Sequence, residues 1–592
     1  MDEQRNLFLA ILLSLLILVG FEYFFSPSLP TEDVTVSQDV SQGNGDGGMT
    51  PEASVLKGDG GGTTPAPPAI QSTVSSAEKG KRLSTTREEA LLKSRRVRIE
   101  TPQLVGSLAL TGARLDDLTL VKYRQTLSQE SLFITLLSPP GGPEAYFARH
   151  GWTAGAKDVA VPDNKTVWGL RDGKVLSPGN PVTLSWDNGQ GLVFAKTFEV
   201  DENFMFTITQ KVKNTGGKRV SLYPYGLISR TGTPNTLGFY ILHEGPLGVF
   251  EDTLKEVDYD ELQEDRRITQ TTTGGWLGIT DKYWLVALAP DQKNHVNTNF
   301  IYVNVQGSNK YQTDYLGGEY ILDPGGKAEV SSNLFAGAKI VELLDSYTTT
   351  HYIDRFDLAV DFGWFYFLTK PIFYALNFFN RIFGNFGLAI LALTVIFRLL
   401  MYPLADKSFR AMNAMKKLQP EVTKLREQFE QDKARMNQEM MALYKREKVN
   451  PAAGCLPMLV QIPIFFSLYK VLFVSIEMRQ APFYGWITDL SAPDPTSLFN
   501  LFGLLPFDLP SFLQIGVWPL LMGITMFLQQ KLNPPPADPV QAKIFMFLPF
   551  IFTIMLAQFP VGLVIYWAWN NVLSIAQQWI LMKKMDAPAK KS

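Results

Sequence analysis

Apolar and polar positions alternate in three different ways along this chain, and each pattern predicts a different kind of structure. Leu7 to Phe25 is a largely apolar run, about the length needed to cross a bilayer. Between about Thr86 and Thr349 the apolar positions recur every second residue in short runs, such as "RVRIET", "GLVFAKTFEV", "NFMFTITQKVKN", "KYWLVALAP" and "NFIYVNVQG". Gly, Pro, Asn and Asp bound these runs closely, which predicts a β-sandwich with no crossover helices. A short helix over Ala338 to Tyr347 is expected to close that region. From Phe386 onward long apolar runs take over, separated by short polar ones.

The stretches between these regions also carry information. Ser26 to Thr86 is rich in Gly, Ser, Thr and Pro, with a Gly run at 58–62 and Pro-Ala-Pro-Pro at 65–68. Such a segment buries too little apolar surface to offset its ordering entropy, and it reads as a flexible tether. The Gly run is no phosphate loop, because no Gly-Lys-Ser/Thr follows it. Phe362 to Phe383 places Lys370, Asn377 and Arg381 on one helical face among crowded aromatics. Lys370-Pro371 discourages an uninterrupted span, so the segment is expected to lie in the interface with Trp364, Tyr366 and Tyr374 at headgroup level.

The expected organisation is an anchor at 1–25, a disordered linker at 26–86, a β-domain at 87–349 and an interfacial helix at 350–383. A helical core at 384–585 and a basic tail at 586–592 complete it. The core carries spans near 386–402, 455–476, 515–530, 544–559 and 563–582, the last two divided by Pro560-Val561-Gly562. The acidic start of the chain and the bulky Phe24-Phe25-Ser26-Pro27 argue for an uncleaved anchor and against a signal peptide. The fold class is thus an α+β membrane protein with six transmembrane helices and an all-β outer domain.

Charge then orients it. The segment between the second and third spans holds eleven basic residues from Lys407 to Lys448, whereas the next holds only Arg479. Lys583, Lys584, Lys590 and Lys591 mark the tail. By the positive-inside rule the loop at 404–449 and both termini are cytoplasmic, and the β-domain lies outside, in the periplasm of a Gram-negative cell. Within that loop Ala411, Met415, Leu418, Val422, Leu425 and Phe429 keep a three-four spacing, which Met436, Met440 and Leu443 resume. Two antiparallel helices with a coiled-coil-like seam follow, the first kinked at Pro420. Their methionines suit a surface that meets varied partners.

Arg398, in "AILALTVIFRLLMYPL", has apolar neighbours on both sides and no carboxylate within a turn. An Arg at such depth costs about 2.5–3.5 kcal/mol on insertion scales, so it either snorkels to the headgroups or faces a polar cavity. Thr394, Gln461, Ser467, Thr525, Gln529, Gln558, Asn570, Ser574, Gln577 and Gln578 recur in the spans. Together with one Arg and almost no acid, they point to a hydrated groove open to the cytoplasm. That shortage of carboxylates disfavours a proton-coupled transporter.

At this point the chain resembles a family. "QEMMALYKREKVNPAAGCLPMLVQIPIFFSLYKVL", "FRLLMYPL", "MRQAPFYGWI" and "FPVGLVIYW" are similar to the signatures of YidC-type membrane protein insertases, over about Asp354 to Met585. The resemblance implies a five-helix conserved core around a hydrophilic groove, with a cytoplasmic helical hairpin and a periplasmic β-supersandwich related to sugar-binding folds. Arg398 matches the family's functional arginine, with Thr394 one turn away; Gln461 and Tyr566 belong to the same groove. Ile462, Pro463 and Phe465, with Met555 and Phe559, match a greasy slide that contacts an inserting helix. Trp567 departs from the pattern, standing where a second Tyr is common. Implied partners are nascent membrane proteins, the lipid bilayer, the Sec translocon, and the ribosome or targeting factors at hairpin and tail. The apolar, Pro-broken stretch Leu498 to Pro510 departs from the family pattern and reads as an extended outer loop before the fourth span, with no role assigned.

Composition excludes several other classes. A net charge of −2 gives no footprint for sequence-specific nucleic-acid binding. The single cysteine, Cys455, excludes an intramolecular disulfide, and all four histidines precede the apolar half. Neither cofactor nor metal is expected. His243-Glu244 lacks the second His of a zinc-protease motif, and no catalytic constellation stands out. The competing reading is a membrane-anchored periplasmic protein that binds or modifies carbohydrate through its sandwich.

Overall fold

The computed structural model describes residues 86–586 apart from 143, 237–241, 364, 430, 451–455, 502–504, 506–513 and 533–538; it also describes 56–57, 63–64 and 67–68. The expected anchor at 1–25, most of the linker, most of 498–510, Trp364, Cys455 and the tail at 587–592 therefore lie outside the described residues. The described chain divides into two compact units between Val360 and Asp361.

The first unit is a sandwich of a nine-stranded and an eleven-stranded sheet. The runs with the clearest alternation become neighbouring strands of the nine-stranded sheet. Leu192–Val200 and Met205–Asn214 pair antiparallel, with every second side chain buried along most of their length. The eleven-stranded sheet runs through Arg267–Thr273, His295–Val305, Ser308–Leu316, Val220–Thr231, Tyr146–Ala154 and Arg114–Arg124 in that spatial order. Its strands are antiparallel except where Arg96–Glu100 meets Val175–Leu176. Tyr146 Oη donates to the Ile279 carbonyl of the other sheet (3.3 Å), so its side of the strand faces the sandwich interior.

Three short helices accompany these sheets: α1 (Arg87–Leu91), α2 (Tyr259–Asp265) and α3 (Val341–Thr350). Helix α1 opens with a capping box between Thr86 and Glu89. The expected closing helix at 338–347 is α3, shifted by three residues because Lys327–Ala338 stays in the sheet. Trp276 and Phe356 pack edge to face beneath it, with ring centroids 5.3 Å apart.

The second unit is helical. It comprises α4 (Tyr366–Phe383), α5 (Phe386–Leu400), α6 (Tyr402–Gln428), α7 (Lys433–Arg446), α8 (Leu456–Val474), α9 (Val517–Leu532), α10 (Pro539–Leu556) and α11 (Val561–Asp586). Gly384 ends α4 in the left-handed region at φ 65°, and Asn385 caps α5 by accepting from the Leu388 N–H at 3.1 Å. Helix α4 continues through Pro371, burying Thr369, Ile372, Phe373 and Leu376 while Phe367, Phe378 and Ile382 stay exposed.

No single described helix is long and apolar enough to cross a membrane; the bent pair α5 and α6, 61° apart, passes together. That bend falls beside Met401, where Pro403 occupies the first turn of α6, and the helix continues through Pro420. Helices α6 and α7 form a hairpin in which Val422 and Leu443 are buried. Arg446 and Glu421 cross it at 3.2 Å, an exposed pair that contributes little. Helix α11 is central and packs against α5, α8 and α9.

One buried charge in the sandwich gives a stability test. Lys196 is fully buried, donates through Nζ to the His150 carbonyl (2.6 Å), and lies 4.8 Å from the Trp168 ring centroid. Burial, reinforced by the nearby Arg149 charge, lowers its pKa to about 7. A base whose pKa falls on folding releases its proton in the folded state first, so stability rises with pH between the folded and unfolded values. The urea midpoint of the sandwich should therefore rise from about pH 7 to about pH 9 more steeply than in Lys196→Met. Identical slopes would remove the buried charge from the account.

Candidate functional site

The polar side chains predicted to act together converge on helix α11. Tyr566, Asn570 and Ser574 follow one another at four-residue spacing and so share a helical face. Arg398, near the C-terminal end of α5, turns inward onto that face. Its Nε donates to Asn570 Oδ1 at 2.8 Å, and a terminal nitrogen donates to the Asn570 carbonyl at 3.2 Å. One turn earlier on α11, the Tyr566 hydroxyl accepts from Gln461 Nε2 of α8. Three helices therefore meet through two polar contacts on adjacent turns.

The Arg398 guanidinium is held but not neutralised. An amide and a main-chain carbonyl are neutral acceptors, and among the described residues no carboxylate pairs with it. Five N–H groups are available on a guanidinium, so donors remain beyond the two that Asn570 engages. Thr394 lies one turn away, yet its hydroxyl is buried and donates to the Ile390 carbonyl of its own helix at 2.6 Å. It lines no open surface. Nearby, buried Asn571 donates to Thr525 Oγ1 at 3.2 Å and ties α11 to α9. Ser467 Oγ, Trp569 Nε1 and Gln577 Nε2 are buried without a protein partner among the described residues. Each would cost about 1–3 kcal/mol if dry, which favours a hydrated interior.

One end of this helical cluster is sealed. The Val561 and Gly562 N–H groups at the start of α11 donate to the Ala492 and Leu490 carbonyls at 2.8 and 3.0 Å. Leu490 in turn donates to Ala481 at 2.9 Å, closing the loop that contains "RQAPFYGW". Phe483 from that loop lies where a Cβ on Gly387 would be, 2.0 Å from its ring, so α5 needs glycine there. Asp494 is buried and accepts from Trp486 Nε1 (3.1 Å), the Thr496 N–H (3.0 Å) and the Trp518 N–H (2.9 Å), fastening α9 to the same loop. Arg398 stands about 16 Å of helix rise from Gly387 and the sealed end.

The residues expected to form an apolar slide are brought together in part. Phe465 contacts Trp567 (centroids 4.8 Å) and Tyr469 (6.4 Å), and Tyr469 reaches Phe559 at 5.2 Å. Phe552 joins through Trp567 at 5.6 Å. Ile462 and Met555 are both nearly half exposed, and Pro463 sits inside α8. Trp567, where a Tyr was the expected residue, is thus the ring that joins α8 to α10.

Sequence reasoning missed two partners. Asn570 stood among the residues read as pointing to a groove but was not singled out as the acceptor for Arg398, although its four-residue spacing from Tyr566 was the available signal. Lys470 was overlooked as a second cation in an apolar helix, in "FFSLYKVLF". It pairs with Asp361 at 2.7 Å, both side chains mostly buried, and its stem lies 2.9 Å from a Cβ on Gly363. Arg398 is therefore not the solitary cation of the apolar helices that the sequence suggested.

With this geometry in place, comparisons place the chain among known proteins. Residues 96–375 match the YidC periplasmic domain, and 378–590 match the 60Kd inner membrane protein family. The membrane protein insertase YidC of Methylobacterium radiotolerans is 48% identical over 98% of this chain and 95% of its own length. That of Beijerinckia indica is 49% identical over 98% and 96%. The Rickettsia felis protein reaches 53% over 82% and 87%. This chain belongs to the YidC family. A solved active YidC insertase covers 82% of this chain and 93% of its own at 17% identity and a TM-score of 0.32. The YidC relationship extends through the sandwich, well beyond the 354–585 stretch whose motifs carried the resemblance. It is a β-rich periplasmic domain followed by a helical region.

The Lys470–Asp361 pair is testable as an anchor of the YidC helical region. Removing one partner of a mostly buried pair costs about 3 kcal/mol, whereas removing both costs much less. Thermal unfolding in detergent should show Asp361→Ala more destabilised than Asp361→Ala combined with Lys470→Met. Strict additivity of the two changes would deny the pairing.

Proposed function

We propose that this chain inserts hydrophobic segments of nascent proteins into the inner membrane through a hydrophilic groove formed by α5, α8, α9, α10 and α11. The observation that carries this reading is Arg398, turned inward and, among the described residues, hydrogen-bonded only to neutral groups of Asn570. A hydrophilic substrate tail must cross a low-dielectric layer, and a wet recess entering from one face shortens that path. At about 4 Å and an effective dielectric of about 20, an acidic residue gains about 4 kcal/mol from the guanidinium, comparable to the cost of placing Arg there. The apolar segment then leaves along Phe465, Phe559 and the exposed Ile462 and Met555, and burial in lipid drives release.

In this reading the chain crosses the membrane six times, with both termini and the basic α6–α7 hairpin in the cytoplasm. Helix α4 lies in the interface, and the loop that seals the start of α11 faces the periplasm. Ribosome or targeting factors meet the hairpin and tail, and the Sec translocon is a second partner. No catalytic step is required, and the carbohydrate alternative has only the sandwich architecture in its favour.

Arg398→Ala should reduce insertion of a single-span substrate with an acidic tail several-fold, and one with a neutral tail far less, by protease protection in inverted vesicles. Equal insertion of both by the variant would overturn the role of the charge. Photocrosslinkers placed at Phe465 and Met555 should capture a stalled nascent chain through its apolar segment. Capture from the lipid side of α4 with none from those two positions would displace the slide.

A further inference from the structure

The outer face of the eleven-stranded sheet carries polar side chains that are buried at its centre, beside the apolar Tyr225, Leu227 and Leu316. Tyr146 marks the face that meets the other sheet, and Arg149, three residues on, lies on the opposite one. Cross-strand pairing extends that outward row from Arg114 through Arg149, Leu227, Asp314 and Asn299 to Thr269. An outward row on a sandwich is ordinarily solvated. Here Asp314 is 0% exposed, Asn299 and Gln312 3% each, and Arg149 7%.

Hydrogen bonds along this row fix which atoms point at the cover. Thr269 Oγ1 donates to Asn299 Oδ1 (2.9 Å), so Asn299 Nδ2 is turned to Asp314 Oδ1 (2.9 Å). Asp314 Oδ2 accepts from Gln312 Nε2 at 2.6 Å. The carboxylate thereby orients the Gln312 amide, whose other N–H reaches the carbonyl of Pro68 at 3.4 Å. Pro67 beside it is buried. Both prolines belong to Pro65-Ala66-Pro67-Pro68, in the linker whose composition predicts no ordered structure.

We propose that this face, centred on Gln312, is a binding site for extended proline-rich polypeptide, filled in cis by the chain's own Pro67-Pro68. The chemistry matches the ligand class. Proline offers a carbonyl but no N–H, so a site that presents an oriented donor and asks for none in return selects it. A proline-rich segment also loses little entropy on binding, because its backbone is already extended. Joined to the domain by a short tether, the cis segment acts at an effective concentration near the millimolar range, so a modest affinity keeps the site filled. A segment in trans competes only when it binds more tightly or the tether is drawn away.

The test uses the full-length protein in detergent micelles and a fluorescent peptide of residues 63–69. Replacing Pro65, Pro67 and Pro68 together by glycine vacates the face. The peptide should then bind at least tenfold more tightly than to the unaltered protein, by anisotropy, and a Gly-Ser peptide of equal length should not bind. Adding Gln312→Leu to the vacated chain should reduce peptide binding at least tenfold. Since Gln312→Leu could disturb the sheet, a second readout leaves the sheet intact: p-benzoylphenylalanine at Ala66 should crosslink to residues 311–316. Equal peptide binding with and without the prolines, equal binding of the Gly-Ser peptide, or crosslinks that avoid that strand would each overturn the proposal.

Discussion

A guanidinium placed between apolar helices constrains everything around it. It must reach water, meet a counter-charge, or be held by neutral dipoles in a site that admits polar company. In this chain Asn570 supplies the third solution, with a side-chain amide oxygen and a main-chain carbonyl on one residue. An aspartate at that place would have paired the charge, whereas an asparagine orients it without neutralising it. The rest of the helical unit is consistent with that need. Gln461 and Tyr566 continue the polar contact toward the sealed end, while Asp494 and the loop around Phe483 hold the starts of α9 and α11 in place.

Two cations in the apolar helices, Arg398 and Lys470, are handled in opposite ways. Lys470 meets a carboxylate, Asp361, and is thereby an anchor; its charge is used up in holding α8 to the start of the unit. Arg398 has no such partner among the described residues and remains chemically open. The same distinction separates structure from function in the sandwich, where Lys196 is sealed against a carbonyl and an indole ring while Gln312 keeps a donor directed at an incoming backbone. Polar groups committed on every side stabilise a fold, and those with capacity left over recognise something.

Much of this was legible beforehand because it depends on local patterning. Alternating runs such as "GLVFAKTFEV" became paired strands, since a two-residue period leaves one face buried whatever the neighbour is. Each apolar run after Phe386 that the structure describes became a helix, and the hairpin seam placed Val422 and Leu443 inside. Arg398 stood out through the cost of its surroundings. Lys470 did not, because it was read as part of an apolar run and its partner lies 109 residues away.

What the sequence by itself determined is the type of each element, the division into a β-rich and a helical region, and the presence of a costly charge. Those follow from periodicity and transfer energy, which each segment carries alone. Tertiary structure alone decided where the other polar and aromatic residues aim: Arg398 onto Asn570, Trp567 between Phe465 and Phe552, and Pro68 onto Gln312. Hydrogen bonds and ring contacts join groups that no spacing rule connects, so their partners exist only once the chain has folded.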